Sequence, residues 1–321
     1  MKFIDNFVLD PQADYRPHYR IGPFGNADLG VNLRLSDAGS EFDTYFSRRF
    51  PDRHLLLTRN GKSALRQTLS GMGLSQDDNV AILTTTGNRY ISKCVTSVIE
   101  EFCEWSREIE NRTRAILVNH EFGFPYENLR ALQSHGLPII EDCCHSFASV
   151  NPEGSVASVG EHVIYSFPKF FPIQFGGLLV SRNPPSGKDD MTEPERQYIK
   201  NVVGHYVQDI EDFSMKRRRH WRSLETLLEG LDIVPRFELP ESVVNGVFMF
   251  KLPFEVDLCK FRTCMNSNGI ESSFFYGENT YFIPSHHRLE TCDLEYFSYV
   301  IKHCLPDSAV GMRASRIQSI P

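Results

Sequence analysis

The chain lacks the features that would direct it to a membrane or to a nucleic acid. None of its 321 residues lie in an apolar run approaching the roughly eighteen residues of a membrane-spanning helix. Basic residues are in the minority, with 34 Lys and Arg against 41 Asp and Glu, so the net charge of -7 does not suit phosphate backbones. The start, MKFIDN, does not resemble a secretory signal. We therefore expect a cytoplasmic protein that binds neither a membrane nor a nucleic acid.

Cysteine and histidine patterns typical of metal sites are also absent. The eight cysteines are scattered, and no two have the C-x-x-C spacing of a zinc or redox site. His286 and His287 are adjacent, and adjacent residues rarely chelate one ion without further ligands at suitable spacing. We predict buried free thiols and no metal.

Short apolar runs alternate with amphipathic segments in the first half of the chain. Amphipathic segments begin at Phe42, cover residues 63–69 and cover residues 126–135, which predicts helices there. The predicted strands are residues 54–58, 80–83, 114–119 and 137–142. This alternation indicates an α/β fold with a mostly parallel sheet flanked by helices. Two more apolar runs, 162–167 and 176–181, are close together, which predicts a local change of topology.

The length predicts one large and one smaller domain, because a single core rarely grows much beyond 300 residues. Proline, glycine and charge concentrate in residues 183–190, so we place the boundary there. Residues 1–190 form the predicted large domain. Residues 191–321 supply two helices, 193–208 and 214–231, and a smaller C-terminal α/β domain. The basic run at 215–222 continues into leucines at helical spacing, so we favour a solvated helix face over a nucleic-acid site.

Asn60-Gly61-Lys62-Ser63 lies between a predicted strand and a predicted helix. Unpaired N–H groups at a helix N-terminus suit a phosphate, and Lys62 and Ser63 would add a cation and a hydroxyl. A purely structural glycine turn is an equally good explanation of this segment taken alone.

Asp142 ends a predicted strand, and ligands of open parallel sheets bind at the carboxyl ends of strands. A carboxylate there can pair with a protonated pyridine nitrogen, and His145 is close enough to approach the same ring. The alternative is an acidic loop start with a solvated histidine.

Lys169 is flanked by Pro168 and Phe170, and apolar surroundings favour the neutral amine needed for a Schiff base. Most lone lysines are surface residues, but this one is alone between Lys93 and Lys188 and closely follows Asp142.

These segments resemble, in order and spacing, the DegT/DnrJ/EryC1/StrS family of sugar aminotransferases that use pyridoxal 5'-phosphate (PLP). Residues 42–65 are similar to a stretch ending in S-G-T-x-A-L, and residues 114–123 to a strand ending in V-H-x-Y-G, with His120 and Gly123 matching. Residues 136–147 resemble G-x-x-x-I-E-D-x-A-Q/H, and residues 165–180 resemble S-F-x-x-x-K before a Gly-Gly strand.

The resemblance implies a PLP-dependent transferase of fold type I, working as a homodimer. It would transfer an amino group, with glutamate as donor, to a keto sugar linked to a nucleotide. Lys169 would be the Schiff-base lysine and Asp142 the partner of the pyridine nitrogen, with His145 beside the ring. Gly61, Lys62, Ser63 and Ser166 would bind the phosphate.

Several positions depart from the family pattern. Lys169 follows Ser166 by three residues where the family usually has five, and Lys62 replaces a threonine. Residues 83–90 replace P-S-F-T-F, whose aromatic stacks on the cofactor, so Tyr90 is our candidate for that ring. The motif N-Y-R-M has no counterpart before Met215. Two alternatives therefore stay open: a family member that binds a ligand or partner without turnover, and a PLP-dependent sugar dehydratase.

Overall fold

A computed structural model describes residues 17–151, 153–154, 156–185, 191–231, 233–253, 256–275 and 277–306. The predicted boundary segment 183–190 lies largely outside the described residues, and the division at 190 stays a prediction. No helix in the described ranges combines the length and the apolar character needed to cross a bilayer.

Within these residues, seven strands form one sheet at the centre of the large domain. They are β1 (His54–Thr58), β2 (Asn79–Thr84), β3 (Glu104–Ser106), β4 (Thr113–Asn119), β5 (Ile139–Asp142), β6 (His162–Ser166) and β7 (Gly177–Ser181). The strand order is β1-β7-β6-β5-β4-β2-β3. The run from β6 to β3 is parallel, whereas β7 is antiparallel to both β6 and β1. The predicted change of topology between the last two apolar runs is confirmed.

The middle parts of the central strands are apolar because helices and loops cover both faces of the sheet. Residues 80–82 in β2 and 115–118 in β4 are fully buried. The parallel register brings Thr84, Asn119 and Asp142 to neighbouring positions at the carboxyl edge of the sheet. Polar side chains therefore collect at this edge, where the apolar strands end.

Helices surround this sheet and connect it to the rest of the molecule. They are α1 (Asn26–Asn32), α2 (Gly39–Arg49), α3 (Gly61–Ser70), α4 (Lys93–Ile99), α5 (Glu193–Tyr206), α6 (Ile210–Leu227), α7 (Leu258–Ser267) and α8 (Thr291–Cys304). The helix predicted over residues 126–135 is wrong, since only Arg130–His135 is helical and it is a 3-10 helix. This segment buries only Leu129 and Leu132, an apolar stripe too short to support a longer α-helix.

The second half of the chain contains a smaller antiparallel sheet with helices packed on it. Its antiparallel sheet contains β8 (Val234–Pro235), β9 (Phe248–Lys251), β10 (Ser273–Phe274) and β11 (Thr280–Ile283), in the order β10-β11-β9-β8. Helices α6, α7 and α8 pack on it around a core that includes Trp221, Phe261 and Phe297.

The basic run on α6 is more buried than a solvated face allows. Lys216, Arg219 and Arg222 are exposed, but Arg217 is 1% exposed and lies in the apolar stripe with Phe213 and Trp221. The prediction of a solvated face is therefore wrong for Arg217. Its position follows from the helical period, which places residue 217 on the buried side four residues after Phe213.

The expectation of buried free thiols is also only partly correct. Cys264 of α7 and Cys304 of α8 form a disulfide, because the two helices pack with these Cα atoms 5.8 Å apart. Cys94, Cys259 and Cys292 are free but exposed, and Cys103 and Cys143 are free and buried.

Candidate active site

A cavity of about 530 Å³ opens at the carboxyl edge of the large sheet. Four strands end at its wall with a polar residue each: Thr84 of β2, Asn119 of β4, Asp142 of β5 and Ser166 of β6. This is the location at which open α/β sheets bind their ligands.

Asp142 is held in a fixed orientation in the wall of the cavity. Its Oδ2 accepts a hydrogen bond from Nδ2 of Asn119 at 2.9 Å, and its Oδ1 accepts one from the backbone N–H of Cys144 at 3.1 Å. Asp142 is 8% exposed, and among the described residues no basic side chain bonds to its carboxylate. A carboxylate can accept about four hydrogen bonds, so each oxygen retains capacity for a further donor.

The predicted phosphate turn lies at the start of α3, on the same cavity. Asn60 caps the helix, because its Oδ1 accepts from the N–H of Ser63 at 3.0 Å. Gly61 and Lys62 line the cavity, whereas Ser63 is buried and does not. A Cβ on Gly61 would lie 2.8 Å from Sγ of Cys144, so glycine allows the turn to lie against the Cys144 side chain.

Lys169 reaches the cavity from a short turn. The segment Phe167–Lys169 is one turn of 3-10 helix after β6, and its Phe167 N–H donates to the carbonyl of Gly176 at 3.0 Å. Ser166 at the end of β6 and Lys169 at the end of the turn both line the cavity. One tight turn therefore allows both Ser166 and Lys169 to line the cavity, although they are only three positions apart in the sequence.

His145 is neutral in this setting. Burial, with smaller contributions from the charges of Lys169 and Arg217, lowers the pKa of its imidazole well below the ordinary value. Its Nδ1 has no hydrogen-bond partner among the described residues. Its ring packs against that of Phe122 with centroids 4.6 Å apart. Phe122 itself has a left-handed backbone, with φ 48° and ψ 34°.

Tyr90 lines the cavity on the side of the small domain. Its ring packs on Phe275 with centroids 4.4 Å apart, and Phe275 and Phe282 continue this aromatic wall to Phe122. The stacking role expected of Tyr90 stays a prediction.

Of the eight site residues predicted from the sequence, seven line one cavity. Gly61, Lys62, Tyr90, Asp142, His145, Ser166 and Lys169 line it together. The sequence did not single out Asn119, Phe122 or the mouth residue Ile21. Phe122 occupies the tyrosine position of V-H-x-Y-G, which could have identified it. Nothing local marks Ile21, which is held there by donating its N–H to Oε2 of Glu271 at 2.8 Å.

A buried cluster of His120, Glu141 and Cys143 adjoins the site and has the composition of a metal centre. Nδ1 of His120 accepts from the N–H of Tyr126, so its ring proton is on Nε2, 3.3 Å from Glu141. The Glu141 oxygens also accept three backbone N–H groups, those of Ala157, Val159 and Gly160. The buried Glu141 carboxylate is therefore satisfied by these bonds and holds the loop before β6 in place. We propose no metal here.

Comparisons with known proteins agree with this architecture. The family model of the DegT/DnrJ/EryC1/StrS aminotransferases matches residues 102–190. GDP-perosamine synthase of Vibrio cholerae is 28% identical over 163 residues, which cover 44% of this chain and 44% of that protein. GDP-perosamine synthase of Escherichia coli O157:H7 is 24% identical over 189 residues, covering 51% and 52%. The matched stretch thus spans about half the length of these curated relatives.

The fold extends well beyond the matched sequence. The crystal structure of the aminotransferase TlmJ from Streptoalloteichus hindustanus superposes with a TM-score of 0.71 at 14% identity, covering 88% of this chain and 96% of that one. At this identity the match establishes the fold, and it confirms the expected transferase fold. Residues 102–190 therefore match the DegT/DnrJ/EryC1/StrS aminotransferase family, and the described chain as a whole shares the fold of a solved aminotransferase.

Proposed function

We propose that this protein is a PLP-dependent aminotransferase that moves an amino group from glutamate to the keto carbon of a nucleotide-linked sugar. One observation carries the proposal: Lys169, Asp142 and His145 line the same cavity as the Gly61-Lys62 turn. An amine, a carboxylate and a phosphate-binding turn are the groups that a PLP enzyme needs in one place.

The residues present fit the cofactor at both of its ends. The N-terminus of α3 and the exposed Lys62 supply positive charge for a phosphate, with the Ser166 hydroxyl on the same wall. The Asp142 carboxylate keeps acceptor capacity for a pyridine N–H, because it can accept about four hydrogen bonds and receives fewer from Asn119 and from the backbone and thiol of Cys144. When bound, PLP supplies an electron sink for negative charge developing on a substrate carbon.

The side chains of the site then have separate tasks. Asp142 would accept a hydrogen bond from the pyridine nitrogen and favour its protonated form, and the hydrogen bond from Asn119 would hold the carboxylate in this orientation. Nζ of Lys169 would act as the general base and acid for the proton on the substrate carbon. His145, neutral because burial depresses its pKa, can donate or accept one hydrogen bond without adding charge beside the ring.

The substrate class is supported by the mouth of the cavity and by the relatives. Glu271, Ser272 and Ser273 line the small-domain side, where carboxylate and hydroxyl groups suit the hydroxyls of a sugar. Two relatives bear the name GDP-perosamine synthase, which supports a nucleotide-linked sugar. The family resemblance supports glutamate as donor and a homodimer, and we keep a cytoplasmic location as part of the proposal.

Trapping of the cofactor on Lys169 tests the proposal directly. The protein is incubated with PLP, so that the amine condenses with the aldehyde and releases water, and borohydride then reduces the C=N bond. We expect a yellow solution before reduction and a pyridoxyl group on the peptide containing Lys169 by mass spectrometry. The variant Lys169→Arg should abolish the adduct, and the exposed-lysine control Lys260→Arg should not.

Two results would contradict the proposal. A colourless protein without an adduct would favour a family member that binds a ligand without turnover. An adduct that forms but releases no amino group from glutamate to any keto sugar would favour a different PLP reaction, such as dehydration.

A further inference from the structure

Arg217 is a buried cation that the proposed mechanism has not used. It is 1% exposed, and within the described part of the chain it forms no ion pair. Burial lowers the pKa of its guanidinium to about 9, and its Nε has no hydrogen-bond partner there. An apolar residue would serve this position in the stripe of α6 better, because an unpaired charge is expensive to bury.

The guanidinium contacts the turn that carries Lys169. Its Nη2 donates to the carbonyl oxygen of Lys169 at 3.0 Å, and its carbon lies 5.0 Å from the centre of the Phe170 ring. Because the guanidinium is rigid and planar, these two contacts together restrict both the position and the orientation of the turn backbone. The carbonyl that Arg217 binds belongs to Lys169 itself, so the contact holds the backbone of the residue that carries the amine.

The second arm of Arg217 reaches the segment behind His145. Its Nη1 donates to the carbonyl of Asn245 at 3.2 Å. The next residue, Gly246, donates its N–H to the carbonyl of Phe122 at 2.6 Å, and a Cβ on it would lie 2.9 Å from Nδ1 of His145. Arg217 therefore joins the Lys169 turn to the segment that supports Phe122 and His145.

We infer that Arg217 is a positioning residue, which holds the backbone of Lys169 so that its amine meets the aldehyde carbon of bound PLP. This inference rests on the proposed function. It distinguishes binding of the cofactor from attachment of the cofactor: the phosphate turn and Asp142 lie on other elements, so loss of Arg217 should leave binding intact and impair attachment.

Two ligands separate these effects in the full-length protein. Pyridoxine 5'-phosphate has the ring and phosphate of PLP but no aldehyde, so its affinity reports binding alone. Borohydride trapping with PLP reports attachment at Lys169. Both are measured for the wild type, for Arg217→Met and for Arg222→Met, a control that removes an exposed arginine from the same helix.

We expect Arg217→Met to bind pyridoxine 5'-phosphate within about twofold of the wild type and to form at least about tenfold less Lys169 adduct in the same time, because small misplacements of reacting groups have effects of this size. The control should match the wild type in both. Adduct formation at the wild-type rate in Arg217→Met, or an equal loss of affinity for pyridoxine 5'-phosphate, would overturn the inference.

The same experiment separates failure of the inference from failure of the proposed function. If the wild type forms no adduct, the proposed function is wrong and the inference falls with it. If the wild type forms the adduct and Arg217→Met forms it equally fast, the inference alone is wrong. Should Arg217→Met fail to fold, Arg217→Lys replaces it; its single ammonium keeps the charge but lacks the planar fork, so impaired attachment with retained binding is again expected.

Discussion

Asp142 illustrates how a single residue obtains its role from its neighbours. Its carboxylate accepts hydrogen bonds from Asn119 on the adjacent strand and from the backbone N–H two residues later. Both bonds stabilise the orientation of the carboxylate, and both come from neutral donors, which leave its negative charge uncompensated. The charge therefore remains for a protonated ring nitrogen.

The variant Asp142→Asn should fold normally and lose half-transamination with glutamate. An amide can retain similar local bonds, but it cannot stabilise a pyridinium, so we expect a loss of about 100-fold or more. The rate is followed by the absorbance change of the PLP-bound protein on adding glutamate, and thermal unfolding monitors the fold. Asp77→Asn, at an exposed loop position, is the control. Unchanged glutamate turnover in Asp142→Asn would contradict the assigned role.

Gly61 offers a second test at the scale of one atom. A methyl group there would lie 2.8 Å from Sγ of Cys144, so in Gly61→Ala either the Cys144 side chain or the phosphate turn must shift. We expect the affinity for pyridoxine 5'-phosphate to fall by about tenfold, the loss of roughly one good hydrogen bond. Gly30→Ala, whose Cβ meets nothing within 4 Å, should leave that affinity unchanged. Equal affinities for all three proteins would show that the turn does not hold the phosphate.

Among the elements, α6 connects the two halves of the molecule. Phe213 near its start packs in the core of the large domain, while Trp221 and Leu224 pack in the core of the small domain. Arg217 lies between them and contacts the Lys169 turn. The helix therefore packs in both hydrophobic cores and contacts the turn that carries Lys169.

The disulfide between α7 and α8 should stabilise the small domain. It closes a loop with a sequence separation of 40 residues, and restricting the unfolded chain in this way is worth about 3 to 4 kcal/mol. The double variant Cys264→Ser, Cys304→Ser should lose stability of that order in urea unfolding. Cys292→Ser, at a free and exposed position of α8, should lose almost none. Equal urea midpoints for the wild type and the double variant would contradict this prediction.

For the whole molecule, buried histidines predict a loss of stability in acid. Burial, followed by the charge of Arg217, lowers the pKa of His286 to about 3, and it depresses the pKa of His287 further. In the unfolded chain both titrate near 6.5, so below that pH the unfolded state binds more protons. Their contribution is complete above pH 6.5 and is lost as the pH falls toward 3.

Urea unfolding at pH 7.5 and pH 5.0 measures this effect. Each histidine that stays neutral in the fold should cost about 2 kcal/mol at pH 5.0, since one pKa unit corresponds to about 1.4 kcal/mol. The His287 ring stacks on Phe213 at 3.7 Å and both its nitrogens lack partners within the described residues, so a phenyl ring can replace it. His287→Phe should therefore lose less stability in acid; an identical loss would contradict the argument.

The sequence by itself determined the elements whose local pattern is strong. The apolar runs of β1 and β5 read as strands because their buried residues are contiguous, and Asp142 could be located because it ends such a run. The glycine turn and Lys169 carried enough chemistry to be singled out, and seven of the eight predicted residues line one cavity.

Only the tertiary structure decided which distant residues complete the site. Asn119 reaches Asp142 through strand pairing, Ile21 reaches the cavity mouth through Glu271, and Arg217 reaches Lys169 across 48 positions of sequence. Each contact is made by a side chain whose own neighbours in sequence give no reason for it. Sequence patterns report the period and burial of one element, whereas a site is assembled where several elements end, and that depends on packing between them.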